Sequence, residues 1–185
     1  MTEVNVINIR SPFLDQKPGT SGLRKSTLKF QEKHYLEIFI EAILQSLGDL
    51  QASTLVVGGD GRYGNIDAIE KIVQICIAHK VQRIIVPKFG LLSTPATSHL
   101  IRKERAIGGI ILSASHNPGG INGDFGVKLN ISNGGPAPEM ITNKIFNSSQ
   151  LLTSYKICKI RLPDFSKFGT YIYGETTLEV IDGLE

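Results

Sequence analysis

The chain has 185 residues, 41% hydrophobic and 20% charged, with a formal net charge of +3, and this balance excludes a disordered segment. Its basic residues are scattered, so the charge leaves no electrostatic footprint for nucleic acid, while small anions remain suitable ligands. Cys76 and Cys158 stand far apart outside any Cys/His cluster, which excludes a disulfide framework and a zinc site and fits a reducing, cytoplasmic setting.

The chain opens on Met-Thr-Glu-Val-Asn-Val, without the positive start and apolar stretch of a secretory leader, and no later run approaches the roughly 20 residues of a membrane span. After a short apolar start at 4–9, residues 17–25 read as a loop broken by Pro18, Gly19 and Gly22. Within 31–47, Tyr35, Leu36, Phe39, Ile40, Ile43, Leu44 and Leu47 recur at three- and four-residue spacing, which predicts a core-facing helix ended by Gly48. Residues 54–57 form a β-branched run closed by Gly58 and Gly59, and 66–79 returns to helical spacing through Ile69, Ile72, Val73 and Cys76.

Residues 83–87 repeat the strand signal, 94–105 predicts a helix with Thr94 at its cap and Pro95 first inside, and 109–112 is a third strand of buried type. This alternation of strand and helix predicts an α/β fold with a largely parallel sheet. In 124–130 the pattern alternates strictly, with Phe125, Val127 and Leu129 on one face and Asp124, Lys128 and Asn130 on the other, as in a half-exposed strand. A turn at 133–136 and a helix over 138–146 follow, and 156–162 and 176–181 read as edge strands around a loop at 163–174. Residues 182–185 end the chain after a strand-like run with no closing helix, the pattern of a cut within a longer protein.

The chemistry gathers in Ser113-Ala-Ser-His-Asn-Pro-Gly-Gly120, immediately after a buried strand, where α/β sheets place ligand-binding loops. Ser, Asn, Pro and Gly also make ordinary turns. A hydroxyl that accepts and returns a phosphoryl group needs exposure, donors for the phosphoryl oxygens and a flexible flank. Ser115 has candidates for all three: Gly119 and Gly120 beside it, His116 as a neighbouring proton carrier, and Lys128 on the polar face of the next strand. Ser113 is the rival nucleophile, nearer the strand and better placed to bond the loop backbone. A Ser-His-Asp hydrolase reading of Ser115, His116 and Asp124 fails, because adjacent Ser and His side chains point apart and no G-x-S-x-G elbow is present. Asp60-Gly-Arg62 offers one carboxylate, too few oxygens for a magnesium or calcium cage, and reads as an Asp-to-Arg contact. His34, His79 and His99 lie in helical segments without partner spacing and read as surface or packing residues.

Six blocks in order resemble the first domain of the α-D-phosphohexomutase superfamily, in its phosphoglucomutase branch. They are Thr20-Ser-Gly-Leu-Arg-Lys25, Val57-Gly-Gly-Asp-Gly-Arg-Tyr63, Leu92-Ser-Thr-Pro-Ala96, Ala114-Ser-His-Asn-Pro-Gly-Gly120, Asn122-Gly-Asp-Phe-Gly-Val-Lys128 and Asn130-Ile-Ser-Asn-Gly-Gly-Pro-Ala-Pro-Glu139. Ser113 departs from the family's usual Thr but keeps the hydroxyl. The resemblance implies a three-layer α/β/α domain with a mixed, largely parallel sheet and an irregular C-terminal strand extension, residues 1–185 forming domain I and ending before domain II. It implies exchange of a phosphoryl group between phosphoserine and glucose 1-phosphate or glucose 6-phosphate through glucose 1,6-bisphosphate. By match of position it implies Ser115 as the phosphoserine, which also holds Mg2+ through its phosphate, His116 as an active-site histidine and Lys128 as general acid/base. Arg24, Ser21 and Thr20 become substrate-binding residues. The family's acidic magnesium loop and its sugar-recognition domains are not in this chain, so the remaining domains of the same enzyme are implied partners and the isolated chain is expected to be inactive. A non-catalytic binding or scaffold protein of the same fold is the alternative.

Overall fold

The computed structural model describes residues 2–183, so Leu184 and Glu185, which belong to the chain end read above as a cut, lie outside the described residues. The helical stripes become buried seams. Helix α2 (Tyr35–Ser46) encloses Leu36, Phe39, Ile40, Ile43 and Leu44, and α3 (Asn65–Ala78) encloses Ile69, Ile72, Val73 and Cys76. A seven-stranded sheet runs in the order β2 (Leu23–Ser26), β6 (Asp124–Ile131), β5 (Gly108–Leu112), β3 (Thr54–Gly59), β4 (Arg83–Pro87), β9 (Thr176–Ile181), β8 (Gly169–Tyr173).

Strands β5, β3, β4 and β9 are mutually parallel at the centre, and β6 and β8 run antiparallel to their neighbours on either side. The expected mixed sheet is present, with parallel pairing confined to its four central strands. Leu55, Val56 and Val57 are fully buried in succession because helices cover both faces, which is why these strands read as continuous apolar runs. Helices α2 and α3 lie on one face, with α5 (Glu139–Ser149) packed on α2, and α4 (Thr94–Lys103) covers β3 and β5 on the other. The result is three layers.

Several boundaries differ from the sequence reading. A single turn, α1 (Thr27–Phe30), precedes α2, and His34 at φ 72° separates the two, so the helix expected from residue 31 begins at Tyr35. It ends at Leu47 in extended conformation, leaving Gly48 without a capping role. Gly58 and Gly59 pair with Ile111 and Leu112 inside β3 rather than closing it. Ser93, not Thr94, caps α4, its hydroxyl oxygen accepting the Ala96 N–H at 3.3 Å.

Strand β6 keeps the expected alternation at Asp124 and Lys128, which are partly exposed opposite buried Phe125, Val127 and Leu129, but Asn130 on the polar face is buried. The strand lies between β2 and β5, and the turn after it folds back so that the Asn130 amide donates to the Gly134 carbonyl at 2.8 Å while 4% exposed. The two expected edge strands also change place. Residues Ser154–Ile157 form β7, which pairs with β1 (Asn5–Asn8) in a separate two-stranded sheet. Strand β9 inserts beside β4, and the outer position falls to β8, inside the segment read as a loop.

Candidate functional site

The loops leaving β3 and β5 meet at the C-terminal ends of the parallel strands, where such sheets hold ligands. Ser115 is exposed at the turn after β5 and has φ 55°, the left-handed region that costs a side-chain-bearing residue roughly 1–2 kcal/mol. The Ser113 hydroxyl oxygen accepts the Ser115 N–H at 3.0 Å, which gives Ser113 the loop-bonding position expected of it. Gly126 makes room for the turn, since a Cβ there would approach the Ser113 carbonyl oxygen to 2.3 Å. Farther along, the Thr27 hydroxyl donates to the Gly120 carbonyl at 2.9 Å and the Asp124 N–H to the Pro118 carbonyl at 2.8 Å, tying the loop to α1 and β6.

Two cationic side chains converge on the Ser115 hydroxyl. Lys128 Nζ donates to Oγ at 3.1 Å and Arg24 Nη2 at 3.3 Å, while Arg24 Nη1 reaches Asn117 Oδ1 at 3.2 Å. Antiparallel register causes this meeting: Arg24 lies opposite Gly126, two residues from Lys128 on the same face of β6. Burial lowers the Lys128 pKa, and the Arg24 and Arg62 charges lower it further against the opposing pull of Asp60.

Thr20 and Ser21 form the exposed tip of a tight turn closed by Gly19 and Gly22, whose backbones bond each other at 2.9 and 3.1 Å. Gly22, at φ 88°, packs on the Lys128 backbone, where a Cβ would come within 2.9 Å of its Cα, so the turn borders the site without bonding to Ser115. His116 is exposed and makes no hydrogen bond among the described residues.

Sequence reasoning missed how far Arg62 and Asn117 reach. Arg62 forms the expected pair with Asp60, Nε to Oδ1 at 3.0 Å and Nη2 to Oδ2 at 2.9 Å, but Nη2 also donates to the Ser115 carbonyl at 3.3 Å. Asn117 Nδ2 donates to Asp124 Oδ2 at 2.6 Å, linking the serine loop to β6. The available signal was position: Asp60-Gly-Arg62 follows a parallel strand adjacent to the one carrying the serine.

The cations around Oγ suit a bound phosphoryl group. They do not suit a cage for magnesium. Among the described residues no group of three or more His, Cys, Asp and Glu side chains converges, and the two carboxylates near the loop are engaged by Arg62 and Asn117.

A family model described as phosphoglucomutase/phosphomannomutase, alpha/beta/alpha domain I, matches residues 15–156. Phosphoglucomutase of Aspergillus fumigatus is 51% identical over 179 residues, covering 96% of this chain and 32% of the relative. Human phosphoglucomutase-1 is 46% identical over 192 residues, covering 98% and 34%. The crystal structure of the exocytosis-sensitive phosphoprotein pp63/parafusin (phosphoglucomutase) from Paramecium, open form, superposes with a TM-score of 0.90 at 37% identity, covering 97% of this chain and 35% of that one. The chain thus spans about a third of the length of these curated relatives.

Proposed function

Because the chain belongs to the phosphoglucomutase/phosphomannomutase family, through that family's first α/β/α domain, we propose that it is the phosphoserine-bearing domain of a cytoplasmic phosphoglucomutase. One observation carries the reading: the Ser115 hydroxyl is flanked by Lys128 at 3.1 Å and Arg24 at 3.3 Å. A neutral hydroxyl gains little from two cations, whereas a phosphoryl group on the same oxygen brings the anionic oxygens that both donors fit.

In transfer to a hexose phosphate, the sugar hydroxyl oxygen bonds to phosphorus as the P–Oγ bond of Ser115 breaks. Oγ regains a proton and the sugar hydroxyl loses one, so the proton count balances. Lys128 stands where the departing Oγ needs that proton, and its lowered pKa makes its ammonium a better donor near neutral pH. The return step, from glucose 1,6-bisphosphate to Ser115, reverses each event. Arg24 balances the charge on the transferring group, Thr20 and Ser21 offer hydroxyls at the edge of the site, and exposed His116 follows Ser115 as a proton carrier. Bound magnesium would neutralise phosphoryl charge; the Ser115 phosphate would hold it here, and among the described residues no group of three His, Cys, Asp and Glu side chains stands by to complete a cage. The scaffold alternative is not favoured, because the Ser115, Lys128 and Arg24 cluster is complete.

Incubation with glucose 1,6-bisphosphate, together with a fragment supplying the remaining domains, labels Ser115 in this reading, as located by mass mapping. Label on Ser113 with Ser115 unmodified overturns it.

A further inference from the structure

The left-handed backbone of Ser115 is enclosed by a ring of interactions that no single motif contains. Its N–H donates to the Ser113 hydroxyl oxygen at 3.0 Å, and Ser113 lies close enough to the Asp60 carboxylate to help hold its pKa down. Asp60 accepts Arg62 Nε and Nη2 at 2.9 to 3.1 Å, and Arg62 Nη2 closes the ring on the Ser115 carbonyl at 3.3 Å. Both hydrogen-bonding groups of the serine backbone are therefore held, the carbonyl by Arg62 on its Asp60 anchor and the N–H by Ser113 beside that anchor. That anchor is fixed to the sheet, since the Asp60 N–H donates to the Leu112 carbonyl at 3.0 Å. The remaining Arg62 arm, Nη1, donates to the Asp124 carbonyl at the start of the strand that carries Lys128. With 7% of its side chain exposed, the guanidinium is held where it is while the hydroxyl it serves faces solvent.

We propose that Arg62, oriented by Asp60, is a positioning residue that holds Ser115 in its left-handed conformation and thereby sets the hydroxyl against Lys128 and Arg24. A serine released from the ring relaxes to the commoner negative φ and swings Oγ away from both donors. The guanidinium suits this work because its planar fork serves Asp60 and two carbonyls together; a lysine reaches Asp60 but is a single point charge. The consequence for turnover rests on the phosphoserine reading, whereas the clamp itself does not.

The test measures hydrogen exchange at the Ser115 amide by NMR in the 185-residue chain and in Arg62→Lys, Asp60→Asn and the double variant. Exchange at Ser115 accelerates about 10- to 100-fold in each single variant, the loss expected for one charge-assisted contact, while the thermal midpoint moves little. The double variant exchanges no faster than the faster single one, because either change opens the same ring. Arg62→Gln, which keeps an amide donor toward the Ser115 carbonyl but loses the fork and the charge, supplies the same readout if Arg62→Lys fails to fold. In the chain extended through its further domains, Arg62→Lys lowers kcat at least about tenfold with KM nearly unchanged, since the misplaced hydroxyl weakens the transition state and not substrate capture. Unchanged exchange in both single variants, or effects that add in the double, overturns the clamp. Failure of the unaltered extended chain to carry phosphate on Ser115 overturns the phosphoserine reading instead, and the exchange result stands apart from it.

Discussion

At the Ser115 hydroxyl the decisive fact is an excess of positive charge over a neutral acceptor. Lys128 and Arg24 each keep a hydrogen bond to one oxygen, and each can turn to a different oxygen once a phosphoryl group is attached. Lys128→Met is therefore expected to slow phosphoryl uptake from glucose 1,6-bisphosphate about 10²- to 10⁴-fold, with the circular dichroism spectrum unchanged because the side chain is partly exposed. Phosphate mapping over time, in the presence of the fragment supplying the remaining domains, checks it. Glu41 presents the opposite case, a charge used for structure. Burial alone would raise its carboxyl, but the His79 ring at 2.8 Å, the Lys156 N–H at 3.1 Å and Gln45 outweigh burial and hold it below the usual carboxylate range. A carboxyl that titrates lower in the folded state stabilises the fold fully above the ordinary carboxylate range and loses that contribution as pH falls through its lowered value. Glu41→Gln should thus cost about 1–3 kcal/mol at neutral pH and flatten the loss of stability below about pH 4, measured by urea unfolding across pH.

At the scale of elements, β6 does the assembling. It lies between β2 and β5, brings Lys128 and Arg24 to one face, and leaves space under the Ser113 to Ser115 turn through Gly126. Gly126→Ala would press a methyl against the Ser113 carbonyl, a backbone atom that cannot rotate away. A loss of about 1–3 kcal/mol in urea unfolding is expected, with the serine loop displaced. Ser93→Ala should cost about 1 kcal/mol through the lost α4 cap, and equal stability of that variant and the parent would refute the capping assignment. The helix boundaries show why element ends were less legible than element types. Residues 31–34 are all polar and the apolar stripe starts only at Tyr35, so the periodicity itself marks the start of α2, whereas the left-handed turn at His34 that separates it from α1 has no such signal.

At the scale of the molecule, about a third of the length of its relatives is present, and the proposed reaction needs a held sugar and a neutralised phosphoryl group as well as a serine. Positioning of reactants can supply about 7–11 kcal/mol of barrier reduction, which we expect from the further length that the relatives have. A coupled assay converting glucose 1-phosphate to glucose 6-phosphate should find negligible turnover for this chain alone and turnover for the chain extended through its further domains; comparable rates refute the division of labour. Much of this was readable in the residues themselves. Buried parallel strands are apolar on both faces and helices repeat near every fourth residue, so the α/β alternation is a local property of the chain, and the motif around Ser115, with Lys128 and Arg24, could be matched position by position. The pairing of β1 with β7, the insertion of β9 beside β4, the Glu41 to His79 contact and the reach of Arg62 to Ser115 arise otherwise. These contacts join residues far apart in sequence, 38 positions for Glu41 and His79 and 53 for Arg62 and Ser115, and no local spacing encodes them. They exist because folding the sheet brings those strand ends and helix faces to the same place, where a carboxylate, an imidazole or a guanidinium leaving water must find a partner.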